Sequence, residues 1–157
     1  MARLGLQPRE ILRLLETVPL LDDMATRERA VLAEVAEVVR CAANVQLFDA
    51  DEDVRWWYLV LNGRVEETVR APDGAWPVVR EVDAGQCVGL DSVLSGSPSA
   101  TRATAVMVSS FVRIPVPELH RLLRGTGPIA IKLQTALNEE LGRDVRAATL
   151  AMIDLVR

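Results

Sequence analysis

The run Trp56-Trp57-Tyr58-Leu59-Val60-Leu61-Asn62-Gly63 constrains the fold more than any other stretch of this chain. Its aromatic and β-branched residues favour an extended strand. With no polar residue before Asn62, that strand is apolar on both faces and must lie deep, covered on each side. Asn-Gly accepts the positive φ angles of a tight hairpin, so the chain turns back into Arg64-Val65-Glu66-Glu67-Thr68-Val69. Ala71-Pro72-Asp73-Gly74 makes the next turn: proline presets one dihedral and glycine tolerates a positive one. Trp76 to Val82, Cys87 to Val88, Ala103 to Val108 and Phe111 to Pro115 supply further strands. Six to eight short antiparallel strands over residues 41–116 predict a barrel or jelly roll.

Helical periodicity flanks this β unit on both sides. In residues 1–40, Pro8 suits a first helical position, and Ile11, Leu12, Leu14 and Leu15 recur at helical spacing until Pro19 interrupts them. A second helix starts near Thr26 and presents Val31, Leu32, Val35, Val38 and Val39. In residues 117–157, Pro117 to Leu123 forms a short amphipathic helix, stopped by Gly125-Thr126-Gly127-Pro128. A long helix follows from Ile129, with Leu133 and Leu137 leading into Leu141, Val145, Ala148, Met152 and Leu155. Steps of four, three, four and three make a coiled-coil seam, from which a homodimer joined through this helix is expected. Gly142 weakens the helix by about 1 kcal/mol, which allows an interior break.

At 157 residues and 50% apolar content the chain suits one domain, 1–157, with a packed core. Its 18 basic and 22 acidic residues leave a net charge of -4, which argues against direct binding of nucleic acid. Cys41 and Cys87 lie far apart without metal-ligand spacing and read as buried thiols in a reducing cytoplasm. With no apolar run of membrane-spanning length and no signal peptide at the N-terminus, the expectation is a cytoplasmic protein. His120, the single histidine, sits among Leu119, Leu122 and Leu123 without a second ligand or nucleophile, so neither a catalytic nor a metal site is expected. The acidic run Asp49, Asp51, Glu52 and Asp53 lacks calcium-loop spacing and reads as a solvated turn.

The segment from Gly85 to Val106 most resembles an anion cradle: a hydrophobic turn opens into a Gly/Ser/Thr-rich loop with one arginine. Its order and spacing carry a resemblance to the cyclic-nucleotide-binding domain of the catabolite activator and kinase regulatory-subunit family. Val18-Pro19-Leu20-Leu21 is similar to that family's opening motif. Leu47-Phe48 followed by Tyr58 to Val65 is similar to its central strand pair, and Gly85-Gln86-Cys87-Val88-Gly89 to the approach to its phosphate-binding cassette. The resemblance implies a jelly roll and a regulatory, non-enzymatic role. It also implies candidate binding residues Gly89, Leu90, Asp91, Ser92, Ser99, Ala100, Thr101, Arg102, Ala103 and Thr104.

The family's glutamate for the ribose hydroxyl and arginine for the cyclic phosphate fall on Leu90 and Ser99. Neither side chain can replace its counterpart. Asp91 and Arg102 are the nearest substitutes. Two readings follow: a regulatory module with a degenerate pocket that acts through dimerisation and a protein partner, or a cyclic AMP or cyclic GMP receptor that uses Arg102 and Asp91. The bound species would be a cyclic nucleotide, another anion or none. As the sequence stops at Arg157, no helix-turn-helix module is expected after the long helix, and any effect on DNA would need a partner. Of Trp56 and Trp57 only one can face a pocket, because adjacent strand residues alternate. One is expected in the core and the other against a helix.

Overall fold

The computed structural model describes residues 1–155. In chain order the elements are β1 (Ala2–Arg3), α1 (Pro8–Leu15), a single 3₁₀ turn (Pro19–Leu21), α2 (Thr26–Val35), β2 (Glu37–Cys41), β3 (Val45–Phe48), β4 (Trp56–Asn62) and β5 (Arg64–Thr68). They continue with β6 (Val78–Asp83), β7 (Cys87–Val88), α3 (Leu90–Ser95), β8 (Arg102–Ala105), β9 (Ser109–Pro115), α4 (Val116–Leu123) and α5 (Pro128–Leu155). The strands form two antiparallel sheets, ordered β1-β2-β9-β4-β7 and β3-β8-β5-β6, which make the jelly roll the strand pattern predicted.

β4 divides the core. Trp57 and Leu59 point to the helices and pack with Leu15, Leu21, Leu32, Leu119, Leu133 and Leu137. Tyr58 and Val60 point into the barrel, where Tyr58 meets the Phe111 ring edge-on at 5.6 Å. A strand apolar on both faces is thus buried by helices on one side and by the second sheet on the other. Trp57 is the tryptophan in the helix-side core. Trp56 lies outside it, with the Arg113 guanidinium 3.8 Å from its ring centroid and that arginine held by Glu37 at 3.0 Å.

The β4–β5 turn requires glycine at residue 63. Its φ is +104°, and a Cβ there would stand 2.8 Å from the Ser109 Cα. Ser109 Oγ accepts the Arg64 N–H at 3.3 Å and donates to the Met107 carbonyl at 2.8 Å, which pins the turn to β9.

The helices begin as their sequences dictate. Glu10 accepts the Gln7 N–H at 2.7 Å and Glu28 the Ala25 N–H at 2.8 Å, each satisfying a donor at a helix start. α5 buries Ala130, Leu133 and Leu137, while Val145 is 59% exposed. It runs through Gly142 without the break that glycine allowed. Met152 and Leu155, the last two seam positions, have side chains outside the described residues.

Three elements differ from what the sequence predicts. Val38 and Val39, expected on the apolar face of the second helix, lie in β2 and pair with β9, because the helix stops at Val35 and Ala36 is already extended at ψ 157°. The β1 pair with β2 adds an edge strand before α1. The stretch after Gly89 forms the six-residue helix α3 where a loop was read. Too short for a periodic signal, α3 is set by left-handed glycines at both ends, Gly89 at φ +76° and Gly96 at +73°.

Candidate functional site

The cassette residues separate into three environments. Gly89 opens α3 in a left-handed conformation, where a Cβ would come within 3.2 Å of the Phe48 ring. Leu90 is 1% exposed and belongs to the helix-side core; Ser92 is buried beside it. Ser99 is buried too, but within its own loop. Its Oγ donates to the Thr101 carbonyl at 2.9 Å and accepts the Thr101 N–H at 3.2 Å. The Ser99 N–H donates to the Glu52 carbonyl, and its carbonyl accepts the Asp51 N–H, so the acidic turn is stitched onto the cassette. Ala100 is exposed, whereas Ala103 is buried inside the barrel.

Arg102 and Thr104 occupy the other face of β8 from Ala103 and Ala105. Arg102 Nε donates to Asp49 at 2.8 Å, and its guanidinium lies 3.7 Å from the Trp76 ring centroid. That contact, first by hydrogen bond, holds the Asp49 carboxyl below the usual carboxylate range. The arginine is engaged on both its edge and its face.

A concavity of about 1100 Å³ lies between β6, α3 and α5. Leu90, Asp91 and Thr101 line it, and Arg102 does not. The positive charge at its barrel wall is Arg80, which donates to Asp144 of α5 at 2.9 Å and to the Cys87 carbonyl at 3.3 Å, with Glu67 of β5 3.5 Å away. Burial pushes the Glu67 carboxyl above the usual carboxylate range, and it does the same to Asp144. Arg80 opposes both shifts. Burial also pushes the Cys87 thiol up to about 12, so that thiol is inert.

The sequence reading singled out none of Glu67, Arg80 and Asp144, although each had a signal. Glu67 alternates with buried Val65, and Arg80 with buried Val82, so both are charges on inward-facing strand positions. Asp144 follows Leu137 by seven residues, two helical turns along the buried stripe. His120 is occupied structurally, its Nε2 2.6 Å from the Val93 carbonyl. Among the described residues no group of His, Cys, Asp and Glu converges on a metal position, and no helix is long and apolar enough to cross a membrane.

No curated protein matches the chain. Solved structures do. A cyclic nucleotide-binding domain from Methylobacillus flagellatus superimposes with a TM-score of 0.83 at 20% identity, covering 98% of this chain and 88% of that one. The regulatory domain of Toxoplasma gondii protein kinase A, solved with cAMP, gives 0.71 at 19% identity over 85% of this chain; the match spans 50% of that longer chain. The sensor domain of the transcriptional regulator DNR from Pseudomonas aeruginosa gives 0.70 at 18% identity, covering 88% and 93%. At these identities the likeness is one of fold. The sequence itself matches the profile of the cyclic nucleotide-binding domain across residues 38–126, more than half its length, and the chain belongs to that family.

Proposed function

We propose that this chain is a non-enzymatic regulatory module of cyclic nucleotide-binding fold whose pocket does not hold a cyclic nucleotide at physiological concentration, and whose output passes through α5 to other proteins. The observation that carries this is the placement of Leu90, Ser99 and Arg102. At the family's ribose position stands a leucine committed to the core, and at its phosphate position a serine saturated by Thr101. The nearest arginine is turned onto Asp49 and Trp76. The residues present therefore do not fit a cyclic nucleotide. Two absent charge-assisted hydrogen bonds at about 1.5–3 kcal/mol each weaken binding by roughly two to four powers of ten.

The receptor reading built on Arg102 and Asp91 is disfavoured on the same geometry. Arg102 would have to leave two partners to reach the cavity, and Asp91 would bring a carboxylate toward a phosphate. The exposed half of α5 supports an output role: Val145 is 59% exposed on a heptad-spaced apolar seam open to another protein. A cytoplasmic location is part of the same proposal.

Isothermal calorimetry with cyclic AMP and cyclic GMP tests the pocket. No heat of binding is expected from the wild type or from Arg102→Ala at ligand concentrations of about 100 μM. Saturable micromolar binding by the wild type overturns the proposal, and its loss in Arg102→Ala would establish the receptor reading. Appearance of binding only in Leu90→Glu combined with Ser99→Arg supports a retained fold with absent ligand chemistry.

A further inference from the structure

The concavity beside α5 is elongated. Its α5 wall runs from Ile131 to Ala148, about 25 Å at 1.5 Å per residue, which is long for a metabolite and close to the length of a five-turn helix. Its apolar lining is exposed on separate walls: Val79 on β6 is 50% exposed, and Ile131 and Val145 on α5 are 62% and 59%. Leu20 of the 3₁₀ turn and Met24 just after it continue the lining. Exposed aliphatic residues set along both sides of a groove are a docking feature rather than a requirement of the fold.

Charge selects the occupant. Among the described residues, seven of the chain's 22 acidic residues line this groove but only three of its 18 basic ones, leaving fifteen of each sign elsewhere in the sequence. All three bases are already engaged: Lys132 with Glu28 at 2.7 Å, Arg143 with Glu140 at 2.6 Å, and Arg80 with Asp144 and Glu67. Asp23, Asp91 and Glu139 have no ion-pair partner among the described residues. The chain's net negative charge is thus concentrated along an apolar trough.

We propose that this groove docks an amphipathic, basic helical segment of a partner protein, with its apolar face on Ile131, Val79 and Val145 and its lysine or arginine residues toward Asp91, Glu139 and Asp23. This rests on the reading of the chain as a module that signals to proteins. It adds the chemistry of the partner and the face it uses. An anionic ligand is rejected by the same charges.

Fluorescence anisotropy tests it with an 18-residue labelled peptide carrying leucines on one helical face and lysines on the other, beside a control with glutamates in place of the lysines. The lysine peptide should bind, and the glutamate peptide should not. Asp91→Asn combined with Glu139→Gln should weaken the lysine peptide roughly fivefold and flatten its salt dependence, since each exposed charge contributes a few-fold at most. Ile131→Ser should weaken it independently of salt; Ile131 is exposed, so this change leaves the core intact. Equal binding of both peptides, absence of binding, or full retention in these variants overturns the proposal. Loss of peptide binding as the protein self-associates would assign the groove to a second copy and overturn it as well. Cyclic nucleotide calorimetry reads the pocket proposal separately, so either can fail alone.

Discussion

The Asn62–Gly63 turn and the segment from Gly89 to Thr104 both depend on left-handed glycines, yet they do different work. At Gly63 the geometry is an end in itself: the turn closes against Ser109 and sets the register of two sheets. At Gly89 the same conformation opens a helix whose first side chain, Leu90, is drawn into the helix-side core. On the proposed function, the comparison teaches that this fold's cassette can be kept as a structural device. Leu90, at the family's ligand-facing position, belongs here to the apolar cluster that contains Leu15 and Leu119. Restoring ligand chemistry therefore competes with stability in the cassette, and no such conflict exists at the turn.

The largest expected effect breaks the comparison at Leu90. Leu90→Glu removes a fully buried aliphatic side chain and places a carboxylate in the apolar cluster, so it should cost at least about 3 kcal/mol in urea unfolding. A change below about 1 kcal/mol would mean that position 90 opens readily to solvent and that the cassette is a ligand site after all. Gly63→Ala comes next. It combines a positive φ with a Cβ against Ser109, and it should cost roughly 2–4 kcal/mol. Pairing it with Ser109→Gly should restore part of the loss, whereas pure backbone strain would leave it untouched.

How much of this could be read from the sequence depends on how local the cause is. β4 and its turn were legible because alternation, an apolar run and Asn-Gly are properties of neighbouring residues. The start of α1 at Pro8 and of α2 at Thr26 was legible for the same reason. The Arg102 environment was not, since Asp49 and Trp76 approach it from 53 and 26 positions away. The Glu67–Arg80–Asp144 cluster joins three elements in the same way. Its members were individually visible as charges on buried stripes, but which charge meets which is a tertiary fact. α3 was hidden by its length.

Proton linkage sharpens the comparison with a smaller effect. Burial raises the folded-state pKa of Glu67, so between the ordinary carboxylate value and that raised value the native protein binds more protons than the unfolded chain. Stability from this group is therefore full at low pH and is lost as pH rises through the folded-state pKa. Glutamine mimics the protonated form and removes that dependence. The stability of Glu67→Gln relative to wild type should increase from about pH 4 to about pH 7, followed by urea midpoints. A constant difference across that range would show that the Arg80 contact cancels the burial effect.

The smallest effect has the opposite sign and belongs to the cassette's arginine. Arg102 depresses the pKa of Asp49, so that contribution is present above the unfolded-state pKa and disappears as pH falls through the depressed value. Both side chains are about one-third exposed, which screens the pair. Arg102→Ala should therefore lower stability only slightly at neutral pH and by less in acid, where only the Trp76 contact is left to lose, the reverse of the Glu67 profile. It should also change Trp76 emission, because the guanidinium stacks on that ring. If Arg102 served the cavity instead, its removal would leave Trp76 unchanged and would alter a ligand titration. Finding the fluorescence change with no change in the cyclic nucleotide titration assigns Arg102 to fastening the Asp49 turn onto the barrel, the structural use of a charge that the loop's composition alone suggested was for an anion.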